Sequence, residues 1–129
     1  MADNPWVDRR ILNYAHQGGA REAPSSTLFA LRQAVAAGAD GLELDVHATA
    51  DGAVMVCHDS TVDRTTASRG AIAELAYAEL RMLDNAHWWV PGEVVAQDRG
   101  EREYVHRGKA AQDPSFGIAT LREVLEEFP

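Results

Sequence analysis

The chain's 129 residues make a one-domain length, and a composition of 46% hydrophobic, 25% charged and 7% aromatic residues is that of an ordinary globular protein. A formal net charge of −8, from 12 Lys and Arg against 20 Asp and Glu, excludes a surface built to track nucleic-acid or anionic-lipid phosphates. An acidic protein that handled a phosphate would need its positive charge locally, and a bound divalent cation would supply it.

In chain order, Met1-Ala2-Asp3-Asn4-Pro5 carries neither a basic nor an apolar region of the secretory kind. No apolar run approaches the roughly 20 residues of a membrane span. Cytoplasmic placement without stable membrane insertion is therefore expected. Residues 11–15 read as a short buried strand that ends at the turn His16-Gln17-Gly18-Gly19. A helix start follows at Pro24-Ser25-Ser26-Thr27, with Ser or Thr as cap. Leu28, Leu31 and Val35 recur at helical spacing until Gly38 stops the helix. Residues 41–46 alternate with period two, Leu42, Leu44 and Val46 on one face and Glu43 and Asp45 on the other. After Asp51-Gly52, residues 53–58 form a further strand containing the single cysteine, Cys57, which reads as a small buried thiol.

A second helix is predicted over 72–83, with Ile72, Leu75, Leu80 and Leu83 on its buried side. Residues 84–118 show no periodicity and read as a long, loop-rich excursion, of the kind that tends to be functional or mobile. Thr120-Leu121-Arg122-Glu123 opens a last amphipathic helix with a capping box. This order of strands and helices predicts an α/β fold built on a parallel sheet or barrel.

The chemistry concentrates around Glu43-Leu44-Asp45. Carboxylates at i and i+2 on a strand point the same way, their Cα atoms roughly 6.6 Å apart. Their oxygens can converge on one hard cation such as Mg²⁺ or Ca²⁺, although alternating acids also suit a solvated strand face. Inward-facing acids in a closed barrel would instead need a cation, a proton or a basic partner. His16 and His58 each end a strand, where reacting groups collect in such folds. A two-residue Asp51-Gly52 hairpin would pair residue 50 with 53 and set Asp45 opposite His58. His47, His87 and His106 read as incidental, His47 the least safely because it shares the parity of the two acids. Trp88-Trp89 reads as a packing anchor.

The ordered set His16-Gln17-Gly18, Pro24-Ser25-Ser26-Thr27, Ala36-Ala37-Gly38-Ala39-Asp40, Glu43-Leu44-Asp45-Val46, Thr49-Ala50-Asp51-Gly52 and His58-Asp59 resembles the glycerophosphodiester phosphodiesterase family. The resemblance runs from about residue 11 to residue 66. It implies a TIM (β/α)8 barrel and a metal-dependent phosphoric diester hydrolase of lipid metabolism. Such an enzyme cleaves small-molecule glycerophosphodiesters to an alcohol and glycerol phosphate through a cyclic phosphate. It further implies His16 and His58 as the acid/base pair, Glu43 and Asp45 as two ligands of Mg²⁺ or Ca²⁺, and Gln17 at the phosphate. Members commonly carry arginine where Gln17 stands and Pro-Glu-Asn-Thr where Ser25-Ser26 fill the middle. Arg21 is the nearby cation that could compensate.

A whole barrel takes about 250 residues and eight strands. Residues 1–129 are therefore expected to be the N-terminal, incomplete part of one barrel domain, with the third metal ligand beyond Pro129. Such a piece is expected to self-associate through open sheet edges. Two alternatives are a phosphodiesterase for another phospholipid headgroup and an inactive truncated barrel acting as a binding module.

Overall fold

The computed structural model describes residues 10–129, so the reading of residues 1–5 lies outside them. Strand β1 (Tyr14–His16), helix α1 (Leu28–Ala36) and strand β2 (Gly41–Glu43) make a βαβ unit. Its two strands pair in parallel, Tyr14 opposite Gly41 and His16 opposite Glu43. A parallel pair needs a crossover, and α1 provides it. Thr27 caps the helix as expected: its hydroxyl accepts from Ala30 N at 3.1 Å and donates to Pro24 O at 2.6 Å. Gly38, at φ +91°, ends it.

Strand β1 is shorter and more exposed than its apolar run predicts, with Ile11 94% and Tyr14 62% accessible. The cause is a missing neighbour: among the described residues β1 pairs with β2 on one edge and with nothing on the other. Residues 41–46 do not form one strand either. The chain ends β2 at Glu43 and then enters a separate antiparallel pair, β3 (Val46–Ala48) with β4 (Val54–Val56). The hairpin register also differs from the two-residue expectation. Val46 pairs with Val56 and Thr49 N donates to Ala53 O at 2.8 Å, so the loop is Ala50-Asp51-Gly52 with Gly52 at φ +85°. One extra loop residue shifts every pairing by one. Asp45 consequently meets Cys57, whose N donates to Asp45 O at 3.0 Å, instead of His58.

The helix predicted over 72–83 is broken in two, a 3₁₀ turn at Ile72–Glu74 and helix α2 at Tyr77–Leu80. Leu75 and Ala76 between them are extended, because Leu75 O is drawn out to accept from Ala50 N of the hairpin loop at 2.9 Å. The apolar pattern still marks the buried side. Ile72 and Leu80 are fully buried, and Leu75 and Leu83 pack against their cluster with Met55, Cys57, Val62 and Ile118. A second cluster joins Leu28 and Leu31 of α1 to Val56, Ala119 and Val124, with Leu42 and Leu44 packed against it. Val124 belongs to helix α3 (Leu121–Glu127). The predicted capping box opens that helix: Thr120 Oγ1 accepts from Glu123 N at 3.1 Å, and Glu123 Oε2 accepts from Thr120 N at 2.8 Å.

Residues 84–118 contain two 3₁₀ turns, Lys109–Ala111 and Pro114–Phe116, and are pinned to the rest by aromatic rings. Trp88 Nε1 donates to Thr66 O at 2.7 Å and Trp89 Nε1 to Ala20 O at 2.8 Å, which makes both indoles the anchors expected of them. His106 stacks on Trp89 with ring centres 5.1 Å apart and also packs against Phe29 and Phe116. Burial lowers the pKa of His106 and of His87. No helix among the described residues is long and apolar enough to cross a membrane.

Candidate functional site

The site is assembled at the C-terminal ends of β1 and β2, where parallel strands present their side chains to loops. His16 ends β1 and lies in register with Glu43, which ends β2, and His16 Nε2 is 3.7 Å from Glu43 Oε2. The imidazole is 75% accessible and the carboxylate 43%. Both can therefore meet a ligand from solvent.

Gln17 is the residue that gathers the two acids. Its backbone N donates to Glu43 O at 3.0 Å and lies 3.3 Å from Glu43 Oε2. Its side-chain Nε2 donates to Asp45 Oδ2 at 3.4 Å. Gln17 O accepts from Ser26 N at 2.8 Å, so the turn after β1 is tied to the start of α1. Gln17 and Ser26 hold left-handed backbone angles, φ 55° and 57°, which non-glycine residues adopt at a cost. Gly18 follows at φ +78° because nothing larger fits: a Cβ there would sit 2.9 Å from Leu31 N. Close packing of the turn on α1 thus fixes where Gln17, and with it both carboxylates, can be.

The two acids carry hard oxygen donors and meet the same residue, Glu43 at the backbone N of Gln17 and Asp45 at its side-chain amide. Among the described residues neither is paired with a lysine or arginine; the one basic contact is the His16 ring at Glu43. An unneutralised carboxylate pair of this kind fits Mg²⁺ or Ca²⁺, which accept oxygen ligands and keep waters where protein ligands are few. The described residues supply two such donors, and no group of three or more His, Cys, Asp or Glu side chains among them could hold a metal.

His58 follows β4 on the adjoining hairpin. It makes no hydrogen bond to Glu43 or Asp45 among the described residues; its neighbours are His47, Asp59 and, through Asp59, Arg64. His47 Nε2 lies 3.0 Å from His58 O, and since a carbonyl only accepts, the His47 ring donates. His58 Nδ1 lies 2.7 Å from Asp59 Oδ1. Arg64 grips Asp59 with Nε on Oδ2 at 2.7 Å and Nη2 on Oδ1 at 2.9 Å. The guanidinium, with help from His58, holds the Asp59 carboxyl down at about 2 against the penalty of burial. Arg64 Nη1 also donates to Ala96 O at 3.2 Å, linking this cluster to residues 84–118.

His47, Asp59 and Arg64 were not singled out for a role from the sequence. Asp59 was visible as the second half of His58-Asp59, and Arg64 as a charge five positions on, but contact between them depends on loop geometry. Cys57 is 2% accessible, and burial together with the nearby Asp59 charge pushes its thiol up to about 11. It is buried, as expected. Arg21 is exposed, and its carbonyl accepts from Gly92 N at 2.8 Å. Two broad grooves of about 780 and 510 Å³ lie elsewhere, one between Val54, Tyr77 and Leu121, the other between Val35, Leu42 and Phe128.

Comparison with known proteins bears on this arrangement. The model of the glycerophosphoryl diester phosphodiesterase family matches residues 16–129. Glycerophosphodiester phosphodiesterase 1 of Bos taurus is 48% identical over 118 residues, 92% of this chain and 30% of that protein. A glycerophosphodiester phosphodiesterase of Caldanaerobacter subterraneus is 43% identical over 75 residues, 58% of this chain and 31% of its own length. Among solved structures, glycerophosphodiester phosphodiesterase from Agrobacterium tumefaciens superposes with a TM-score of 0.65 at 31% identity, covering 92% of this chain and 42% of that one. An Oleispira antarctica phosphodiesterase in complex with the product sn-glycerol-3-phosphate superposes with a TM-score of 0.64 at 29% identity, covering 90% and 39%. The chain thus spans about a third of its curated relatives. Its α/β arrangement is that of a partial TIM (β/α)8 barrel.

Proposed function

Because this chain belongs to the glycerophosphoryl diester phosphodiesterase family, we propose that the protein hydrolyses glycerophosphodiesters to an alcohol and glycerol phosphate. The observation that supports the proposal most directly is the double contact of Gln17, whose backbone N lies 3.3 Å from Glu43 Oε2 and whose side-chain Nε2 donates to Asp45 Oδ2 at 3.4 Å, with His16 Nε2 3.7 Å from Glu43 Oε2. The substrate class is that of the family; the acids and the imidazole of the site support the reading.

Glu43 and Asp45 would hold Mg²⁺ or Ca²⁺, which when bound lowers the pKa of a coordinated hydroxyl and offsets phosphate charge. Gln17 carries two amide protons, one engaged by Asp45, and the second is free to donate to a phosphate oxygen. His16 and His58 would move the protons. One takes the proton of the substrate hydroxyl next to the phosphate as that oxygen attacks phosphorus; the other protonates the departing alcohol oxygen. The cyclic phosphate so formed is then opened by water with the two roles exchanged. That exchange requires both rings, and neither is assigned as acid or base alone.

Three measurements test this reading. Glycerophosphocholine is expected to give choline and glycerol phosphate, whereas an analogue without the neighbouring hydroxyl is not turned over. Equal turnover of both would exclude attack by the substrate's own hydroxyl. Replacing His16 or His58 with Ala is expected to lower kcat by about 10²–10⁴-fold. Calorimetric titration with Mg²⁺ and with Ca²⁺ should show weak binding that Glu43→Gln abolishes; unchanged binding in the variant removes Glu43 from the metal site.

A further inference from the structure

The role of His58 leaves open which of its ring nitrogens handles the proton and what holds the ring. From the geometry around it we propose that Asp59 and Arg64 are positioning residues that lock His58 as its Nδ1–H tautomer, leaving Nε2 as the proton-handling atom. The inference rests on the reading of His58 as an acid/base group and adds two residues to it.

The argument is one of donors and acceptors. Asp59 Oδ1 takes both His58 Nδ1 at 2.7 Å and Arg64 Nη2 at 2.9 Å, and Oδ2 takes Arg64 Nε at 2.7 Å. Arg64 pairs with both oxygens, an arrangement that suits the ionised carboxylate. An ionised carboxylate has no proton to give, so at this contact the imidazole must be the donor. In the neutral ring the proton therefore sits on Nδ1, and Nε2 carries the lone pair. The rest of the residue is fixed from the other side, where the His47 ring donates to His58 O at 3.0 Å. Among the described residues, His47, Asp59 and Arg64 are the ionisable groups hydrogen-bonded to His58 or to its carboxylate partner, and the buried Cys57 thiol is the further ionisable group beside Asp59. The His58 side chain remains 50% accessible, so the clamp holds the ring without burying it.

Arg64 matters as more than a charge. Its fork demands two acceptor oxygens from residue 59, and asparagine there would offer one. That oxygen would go to the guanidinium, and the amide NH₂ would turn to the ring. Nδ1 would then have to accept, and the proton would move to Nε2, the wrong atom for a base.

The test reads the ring directly. Nitrogen-15 spectra of histidine-labelled protein at about pH 8.5, above the ordinary histidine range, distinguish the two tautomers, and the four other histidines serve as controls. His58 is expected as Nδ1–H in the wild type and as Nε2–H in Asp59→Asn, with the other histidines unmoved. A His58 that is Nε2–H in the wild type overturns the proposal, as does a tautomer unchanged in the variant. The wild-type spectrum decides alone should Asp59→Asn fail to fold. Because this readout needs no turnover, it separates failure of the clamp from failure of the hydrolase reading. With glycerophosphocholine as substrate, Asp59→Asn is expected to reduce kcat by at least about tenfold while KM stays within about twofold. An unchanged kcat also overturns the proposal.

Discussion

The turn after β1 does its work through backbone positions that single side chains would spoil. Gly18 combines a positive φ with a contact that leaves no room for a methyl group 2.9 Å from Leu31 N. Gly18→Ala is expected to cost about 2 kcal/mol, from strain and overpacking together, read as a lower urea midpoint. At Asp59 the consequence is a pH dependence. The folded state lowers its carboxyl from 3.8 to about 2, so the unfolded chain binds the proton more readily. The stability this confers is present above about pH 4 and is lost as the pH falls towards 2. Urea midpoints followed down this window should fall less steeply for Asp59→Asn than for the wild type.

Helices α1 and α3 were legible because their capping signals are local. Thr27, Thr120 and Glu123 cap as their spacing predicts, and Thr27→Ala, which removes the acceptor for Ala30 N, is expected to cost about 1 kcal/mol in chemical denaturation. The strands were legible in place but not in extent. Whether residues 41–46 continue along β1 or switch to β4 is decided by partners distant in sequence. The shift of Asp45 from His58 to Cys57 came from one additional loop residue, Ala50, whose N bonds to Leu75 O. That same bond broke the expected helix over 72–83. The period-two reading that put Glu43 and Asp45 on one strand face does not survive, because β2 ends at Glu43 and Asp45 lies in the link to β3; Gln17 touches both acids all the same. The clamp on His58 could not be read from spacing at all. It joins Asp59 to Arg64 across a loop and His47 to His58 across a hairpin, contacts that no regular spacing announces.

At the scale of the molecule, buried apolar side chains sort into two clusters while several others stay uncovered. Ile11, Leu12, Tyr14, Val46 and Leu125 are 94%, 50%, 62%, 44% and 59% accessible. With β1 unpaired on one edge among the described residues, we propose that this chain by itself associates with further copies. Light scattering coupled to gel filtration should give a mass that rises with concentration. A constant mass of 14.1 kDa across a wide dilution series would refute it.

Ser26 has one more consequence. Its left-handed backbone, φ 57°, goes with a bond from its N to Gln17 O, and its buried hydroxyl has no hydrogen-bond partner among the described residues. The chain has therefore forgone some thermal endurance at a position whose side chain touches neither histidine nor either acid. An engineer seeking a hardier form could begin there, with glycine or asparagine, and leave the reaction centre untouched.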